Sequence, residues 1–386
     1  MAGPPFLSTR LHGFGTTIFA EMSALAAATG SINLGQGFPD TDGPAEVAEA
    51  AIAAIRDGHN QYPPGPGILD LRRAIAEHQA RFWGMHVDPD EEVLVTAGAT
   101  EAITAALLAL CEAGDEVVAF EPAYDSYRAA ASMAGARLVP VPLRPPAHAL
   151  DLGTLREAIS PRTRLVLVNS PHNPTGAVLS SEELRAIASL CVERDLLAVT
   201  DEVYEHMVFD GTHVPLATLP GMAERTVTIS SAGKTLSFTG WKIGWAVGPA
   251  ELVTAVRTAK QFLTYVSGAP FQPAVAVGLR LPDAYFDGLR RDLQAKRDLL
   301  CEGLETAGFE VFRPRGTYFV TADIRPLTDE DGLTFCRALP ERCGVVAVPT
   351  SVFHEDPAGG EHIVRFTFCK RPEVLAEAAS RLKALA

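Results

Sequence analysis

From Asp90 onward, short apolar runs alternate with segments whose apolar residues recur at helical spacing. The runs predict strands at Glu92–Thr96, Glu116–Phe120, Leu138–Leu143, Leu165–Asn169, Leu196–Thr200, Thr226–Ser230 and Gly244–Val247. The periodic segments predict helices at Thr100–Glu112, Ser126–Ala134, Thr154–Ile159, Ser181–Arg194 and Ala250–Phe262. Near-continuous apolar strands between helices are typical of a mostly parallel sheet covered on both faces. The pattern therefore predicts an α/β fold.

The pattern changes near residue 280, where a long amphipathic helix at Tyr285–Ala307 begins. Further strands are predicted at Thr317–Asp323, Val345–Val348 and His362–Phe368, before a final helix at Pro372–Leu385. The first 40 residues are irregular apart from one helical segment, Phe19–Ala28. We expect an N-terminal arm over 1–40, a large α/β domain over 41–280 and a smaller α+β domain over 281–386. We also expect the arm to pack with the smaller domain.

Charge and composition exclude several classes of protein. The net charge of −14 argues against nonspecific binding to nucleic acid or to an anionic membrane. The longest apolar stretch, Ala102–Cys111, is too short to span a bilayer. The six cysteines lack metal-binding spacing, which predicts reduced core thiols and no metal site. The N-terminus has no apolar core of a secretion signal, so we expect a cytoplasmic protein.

Chemically useful residues follow four of the predicted strands. In open α/β sheets, ligand-binding groups collect on the loops after the carboxyl ends of the strands. Small residues at a helix start also leave backbone N–H groups free for a phosphate. The residues concerned are Gly98, Ala99 and Thr100, then Asn173, then Asp201 and Tyr204, and finally Lys234. Each has an ordinary alternative, since such residues also cap helices, form turns or fill cores.

Lys234 lies in the run Ser230–Trp245, SSAGKTLSFTGWKIGW, among small and hydroxylic residues. A free lysine has a pKa of about 10.4, so only about one in 2,500 is neutral at pH 7. Burial beside a second cation such as Lys242 lowers that pKa and yields an amine that can form a Schiff base. The alternatives are a phosphate-binding role for Lys234 and a surface position for Lys242 between two tryptophans.

Arg365 interrupts an apolar strand, His362–Phe368. Charged side chains are rarely buried without a partner. A guanidinium in this position suits bidentate capture of a carboxylate, in which each charge-assisted bond contributes about 1.5–3 kcal/mol. An internal ion pair is the alternative.

Taken together, these residues resemble the aspartate-aminotransferase superfamily, the fold-type-I enzymes that use pyridoxal 5′-phosphate. The resemblance covers nearly the whole chain and is strongest to the branch of kynurenine–glutamine transaminases and N-succinyldiaminopimelate aminotransferases. The motifs that carry it are Asn33–Asp40, Asn60–Tyr62, Asn173–Gly176, Asp201–Tyr204, Ser231–Lys234 and Val364–Phe366.

The resemblance implies a role for each cofactor-binding residue. Lys234 would bond covalently to the cofactor and then shuttle a proton, while Asp201 would pair with the pyridine nitrogen. Tyr204 and Asn173 would bond the ring 3-oxygen, and Tyr124 would stack on the ring. The phosphate would be held by Gly98, Ala99, Thr100, Ser231 and Lys242, and by Tyr62 of a partner subunit in a homodimer with shared active sites.

The resemblance also implies that Arg365, the Gly37 backbone and Asn173 bind the substrate α-carboxylate. Pro171 and Pro174 would shape the loop that presents Asn173, and either of them could be cis. Phe14 and Phe353 indicate room for an apolar or aromatic substrate side chain. Arg10 and His12 could instead meet an acidic tail such as a succinyl group.

The expected activity is transfer of an amino group to a 2-oxo acid by a ping-pong mechanism, with 2-oxoglutarate as the expected acceptor. Candidate donors are N-succinyl-LL-diaminopimelate and glutamine-, methionine- or aromatic-type amino acids. Two departures from relatives matter. Lys242 stands where many relatives carry an arginine, so the bidentate guanidinium contact with the phosphate is lost. There is also no obvious second arginine of the kind that selects the side-chain carboxylate of aspartate. The alternatives are a β-lyase acting on cysteine conjugates and a non-catalytic ligand-sensing module.

Overall fold

The computed structural model describes residues 6–385 of the chain, so residues 1–5 of the predicted arm lie outside the described residues. Its strands are β1 Ile32–Asn33, β2 Val93–Thr96, β3 Glu116–Glu121, β4 Arg137–Pro142, β5 Thr163–Asn169, β6 Leu197–Asp201, β7 Thr226–Ser231, β8 Gly244–Val247, β9 Glu310–Phe312, β10 Phe319–Asp323, β11 Val345–Val346, β12 Val348–Pro349 and β13 Ile363–Thr367. Its α-helices are α1 Ile18–Thr29, α2 Ala45–Arg56, α3 Leu69–Trp83, α4 Gly98–Leu110, α5 Asp125–Ala134, α6 Leu152–Ala158, α7 Ser181–Glu193, α8 Ala232–Thr235, α9 Ala250–Lys260, α10 Phe271–Leu279, α11 Asp283–Thr306, α12 Gly332–Cys343 and α13 Pro372–Leu382.

A seven-stranded sheet with the order β2-β8-β7-β6-β5-β3-β4 forms the centre of the fold. All neighbouring strands are parallel except β8, which runs antiparallel to both β2 and β7. The prediction of a mostly parallel sheet is confirmed. The carboxyl ends of β5, β6 and β7 meet at one edge, where Asn169 pairs with Asp201. This edge carries most of the predicted site.

Helices cover both faces of this sheet. One face packs α4, α5 and α9 over the apolar side chains of the central strands, and the other packs residues of α6 and α7. A third cluster joins α2, α3 and α10 beside β2 and β8. The sequence interpretation missed these three helices. The first two precede the alternating pattern, and the third is almost wholly apolar, so it lacks a clear amphipathic period.

The C-terminal elements form a four-stranded antiparallel sheet with the order β12-β13-β10-β9. Helix α11 packs on this region together with α13, and α1 contacts α12. The strand predicted over Val345–Val348 is wrong as a single element. Its first half pairs with β1 near the N-terminus, and its second half pairs with β13, so the chain changes sheets at Ala347. The division at residues 40 and 280 stays a prediction.

Two further observations concern the predicted class of protein. All six cysteines are free thiols, and five are buried. Within residues 6–385, no helix combines the length and apolar character that crossing a membrane requires.

Candidate active site

A cavity of about 400 Å³ opens at the carboxyl edge of β5, β6 and β7, beside the start of α4. The structure brings most of the predicted site residues to its wall. Those lining it are Gly37, Gly98, Ala99, Thr100, Tyr124, Asn173, Asp201, Tyr204, Ser231, Lys234, Lys242 and Arg365.

Three predicted residues lie away from this wall. Tyr62 is 81% exposed, and its ring meets the edge of the Tyr265 ring with centroids 5.6 Å apart. Phe14 is half-buried outside the lining. Phe353 is buried beyond the guanidinium of Arg365, whose central carbon lies 5.2 Å from the ring centroid. Phe353 therefore supports the arginine in this structure.

Lys234 lies in α8, the single helical turn that follows β7. Its Nζ donates a hydrogen bond of 2.7 Å to the Tyr318 hydroxyl. Burial is the main cause that lowers the lysine pKa from 10.5 to about 8. Arg365 and Lys242 lower it further, against the opposing influence of Cys369 and Asp201. At a pKa of about 8, about one lysine in ten is neutral at pH 7, so the amine is a far better nucleophile than a surface lysine.

Asp201 ends β6 with its carboxylate buried. Tyr127 donates a 2.6 Å hydrogen bond to Oδ2, and the Val203 N–H bonds Oδ1 at 3.4 Å. Asn169 fixes the backbone by donating to the Asp201 carbonyl at 2.8 Å. Burial raises the pKa of Asp201, with the Tyr127 hydrogen bond opposing. A buried carboxylate of this kind is stabilised by a cationic ligand.

The start of α4 forms an anion cradle. Gly98 has φ +80, a conformation that favours glycine, and a Cβ there would lie 3.1 Å from Lys242 Nζ. A Cβ on Gly244 of β8 would lie 2.8 Å from the Ala99 nitrogen. Free N–H groups at a helix N-terminus attract phosphate. Glycine at positions 98 and 244 therefore keeps these N–H groups open beside an ammonium.

Arg365, on β13, is 1% exposed. Its Nη1 donates to Asn173 Oδ1 at 2.9 Å and its Nη2 donates to the Gly35 carbonyl at 3.0 Å. Its Nε has no hydrogen-bond partner among the described residues, and no carboxylate of residues 6–385 forms a salt bridge with it. The alternative of an internal ion pair is therefore wrong. The guanidinium, 4.0 Å from the Phe319 ring centroid, keeps donor capacity for an added carboxylate.

The loop after β5 presents Asn173 to this arginine. The Asn173 N–H donates to Asn169 Oδ1 at 2.8 Å, which fixes the loop against the strand end. The peptide bonds before Pro171 and Pro174 are both cis. Burial raises the pKa of Tyr124, whose ring also lines the cavity, to about 12.

The loop after β6 is held from behind by buried polar pairs. Ser230 donates to Glu205 at 2.8 Å, His213 pairs with Glu202 at 2.7 Å, and the rings of His78 and His206 share a 2.9 Å hydrogen bond. These pairs fix the segment that carries Asp201 and Tyr204.

Sequence reasoning missed several residues around the cavity. Tyr318 binds Lys234, and Tyr127 binds Asp201, while Phe319 lies against the guanidinium of Arg365. Tyr127 lies in a predicted helix and Tyr318 in a predicted strand. A tyrosine within a predicted helix or strand was the available signal, since a buried tyrosine hydroxyl usually has a hydrogen-bond partner.

Comparison with known proteins adds independent information. The model of the family "Aminotransferase class I and II" matches residues 29–382. The chain is 57% identical to a probable N-succinyldiaminopimelate aminotransferase of Mycobacterium tuberculosis, over 98% of each chain. It is 39% identical to the methionine aminotransferase of Escherichia coli, over 99% of each. The solved N-succinyldiaminopimelate aminotransferase of M. tuberculosis superposes with a TM-score of 0.97, over 98% of this chain and 100% of that one.

Proposed function

The chain belongs to the class I and II aminotransferases and is a pyridoxal 5′-phosphate-dependent transaminase of fold type I, and we propose that the cavity around Lys234 is its active site. One observation carries the proposal: a half-buried amine, a buried carboxylate and a buried guanidinium face the same cavity. Neither β-elimination nor ligand sensing is favoured by the comparisons.

The residues present fit the cofactor. Asp201 is a buried carboxylate without a cationic hydrogen-bond partner among the described residues, so a protonated pyridine nitrogen would balance its charge. The N-terminus of α4, with Lys242, suits the phosphate. Tyr204, Asn173, Tyr124, Thr100 and Ser231 are the proposed remaining contacts. When bound, the cofactor carries the amino group and withdraws electrons from the substrate α-carbon.

Three residues of the chain then have separate roles in the reaction. Lys234 Nζ takes the proton from the substrate α-carbon and returns it, which a pKa of about 8 permits near neutral pH. Asp201 holds a proton on the ring nitrogen. Arg365, which already contacts Asn173 through its guanidinium, binds the substrate α-carboxylate together with Asn173 and the Gly37 backbone. This binding orients the α-carbon.

We propose N-succinyl-LL-diaminopimelate as the amino donor and 2-oxoglutarate as the acceptor, because of the 57% identical relative. The cationic residues in the described lining are Lys234, Lys242 and Arg365, and each already has a proposed role. The distal carboxylates of this donor therefore need cations from the arm or from a partner subunit. An apolar donor such as methionine is the second candidate, since Phe19, Phe38 and Phe319 line the cavity.

We also propose a homodimer with shared active sites, working in the cytoplasm. Tyr62 and the nearby Phe262, Leu263 and Tyr265 leave 81%, 82%, 45% and 55% of their surfaces exposed. Burial of such apolar surface stabilises association. In this arrangement Tyr62 of one subunit reaches the phosphate held by the other.

A donor panel with 2-oxoglutarate tests the function. It compares N-succinyl-LL-diaminopimelate, methionine, kynurenine, glutamine and aromatic amino acids. Wild-type enzyme should bind the cofactor covalently and transfer the amine, whereas Lys234→Ala should do neither. Lys234→Arg keeps the charge without a usable nucleophile and should also be inactive. An active Lys234→Ala enzyme would refute the proposed site, and the ranking of donors decides between the two candidate substrates.

Mixing a variant that lacks the lysine with one that lacks the Tyr62 hydroxyl tests the shared sites. A heterodimer of Lys234→Ala and Tyr62→Phe subunits contains one site with both native residues. Co-refolding should therefore restore turnover above that of either homodimer. Activity that stays at the sum of the two homodimers would contradict a Tyr62 contribution across the interface.

A further inference from the structure

The hydroxyl of Tyr318 lies between two parts of the proposed active site. It accepts the 2.7 Å hydrogen bond from Lys234 Nζ and donates a 2.6 Å hydrogen bond to the carbonyl of Gly37. Tyr318 immediately precedes β10 and is 1% exposed. Its ring packs at right angles against Tyr204, with centroids 5.2 Å apart. One hydroxyl thus joins the lysine to the N-terminal segment.

The chemistry of the partners fixes the direction of both bonds. A carbonyl oxygen only accepts, so the phenol proton must lie toward Gly37. The lone pairs of the phenol oxygen then face Lys234, and the amine must donate one N–H to them. A neutral amine held in this way still has its own lone pair available. Nζ can take a proton while one of its N–H bonds stays fixed.

We propose that Tyr318 is a positioning residue that holds the free Lys234 amine in place for proton transfer, an inference that rests on the proposed function. When the lysine is released from the cofactor, its flexible side chain has many rotamers. The Tyr318 oxygen selects the one that stays beside Asp201, Tyr204 and the cavity. The C–H bond of the substrate breaks, an N–H bond forms on Nζ, and the electron pair remains with the substrate–cofactor unit.

The same contact ties the lysine to substrate binding. The Gly37 backbone is proposed to contact the substrate carboxylate, and the strand just before it, β1, pairs with β11 in a separate two-stranded sheet. Tyr318 therefore connects the proton-transferring group with the segment that covers the substrate. The sequence motifs assigned to the cofactor and the substrate leave this residue without a role.

Tyr318→Phe is the test, because it removes the hydroxyl and leaves the ring packed on Tyr204. Tyr285→Phe is the matched control. The Tyr285 hydroxyl donates a 2.8 Å hydrogen bond to the Thr235 carbonyl, on the same helical turn as Lys234, without contacting Nζ. A purely structural role would lower the melting temperatures of both variants and leave the chemistry of the lysine unchanged.

The first readout is the pKa of Lys234 in the cofactor-free enzyme, measured from the pH dependence of amine acylation by mass spectrometry. Besides burial, the titratable and charged groups that influence the pKa of this amine are Cys369, Asp201, Arg365 and Lys242, and Tyr318→Phe replaces none of them. The Tyr318 oxygen accepts a hydrogen bond from Nζ and so stabilises the ammonium form of Lys234. Loss of this oxygen should therefore lower the pKa of Lys234 by about one unit. Tyr285→Phe should leave it unchanged.

The second readout is the donor half-reaction of the holoenzyme. Tyr318→Phe should slow it about tenfold and raise the primary isotope effect of an α-deuterated donor, since proton transfer becomes more rate-limiting. A Tyr318→Phe enzyme with wild-type lysine pKa and isotope effect would overturn the inference while leaving the function intact. A wild-type enzyme that fails to transfer any amine would instead overturn the function.

Discussion

Replacement of Arg365 by lysine tests recognition of the substrate carboxylate while it keeps a positive charge in the site. Lysine keeps a positive charge but loses the planar fork of donors. In the structure, two of the fork's nitrogens are directed at Asn173 and Gly35, and Nε has no partner among the described residues. A bound carboxylate would therefore lose one of two charge-assisted hydrogen bonds in the variant.

The loss can be worked out from the energy of one such bond. A hydrogen bond to a charged group contributes about 1.5–3 kcal/mol, and about 1.4 kcal/mol corresponds to a factor of ten. We expect kcat/KM for the best donor to fall about 10- to 150-fold in Arg365→Lys. The stacking of the cation on Phe319 also weakens, which adds to the loss.

The assay pairs each enzyme with two donors, the amino acid and the corresponding amine without its carboxylate. The half-reaction of the amine should change less than about threefold, because it lacks the group that Arg365 binds. Arg297→Lys is the control, since Arg297 is a buried arginine that pairs with Asp210 away from the cavity. Equal losses for both donors, or no loss for the amino acid, would refute carboxylate binding by Arg365.

Three other expectations follow from the site. Cofactor capture by the apoenzyme should accelerate as pH rises through about 8, because the pKa of Lys234 is lowered to that value. Stopped-flow absorbance measures the rate of capture, and an inflection of that rate near pH 10 would contradict a lysine pKa lowered by burial. Tyr127→Phe should weaken cofactor affinity about tenfold and raise the pKa of Asp201 further, because the Tyr127 hydroxyl lowers that pKa in the native protein. Equilibrium dialysis measures the affinity, and its pH dependence reports the change in pKa. Gly244→Ala should also lower cofactor affinity, by pushing strand β8 away from the start of α4; unchanged binding in the same dialysis would contradict the cradle.

The sequence was sufficient for the central sheet because its strands are buried on both faces and read as continuous apolar runs. The residues after those strands could be predicted to meet for the same reason, since parallel strands share one carboxyl edge. Lys234, Asp201 and Asn173 come together in this way.

Contacts between residues that are distant in the sequence could not be predicted. Tyr318 and Gly37 are far apart in sequence, and no local pattern indicates that they share a hydrogen bond. The change of sheet at Ala347 was hidden for a similar reason. Both halves of that segment are equally apolar, so only their partners distinguish them.

The pairing of β1 with β11 has a consequence for biosynthesis. Strand β1 is translated long before its partner β11, because most of the large sheet lies between them in the sequence. At about 5–20 residues per second, the interval is on the order of tens of seconds. During that time the apolar face of α1 has no native surface to cover it, because α12 is also made late. A nascent chain stalled before Val345 should therefore bind chaperones at α1.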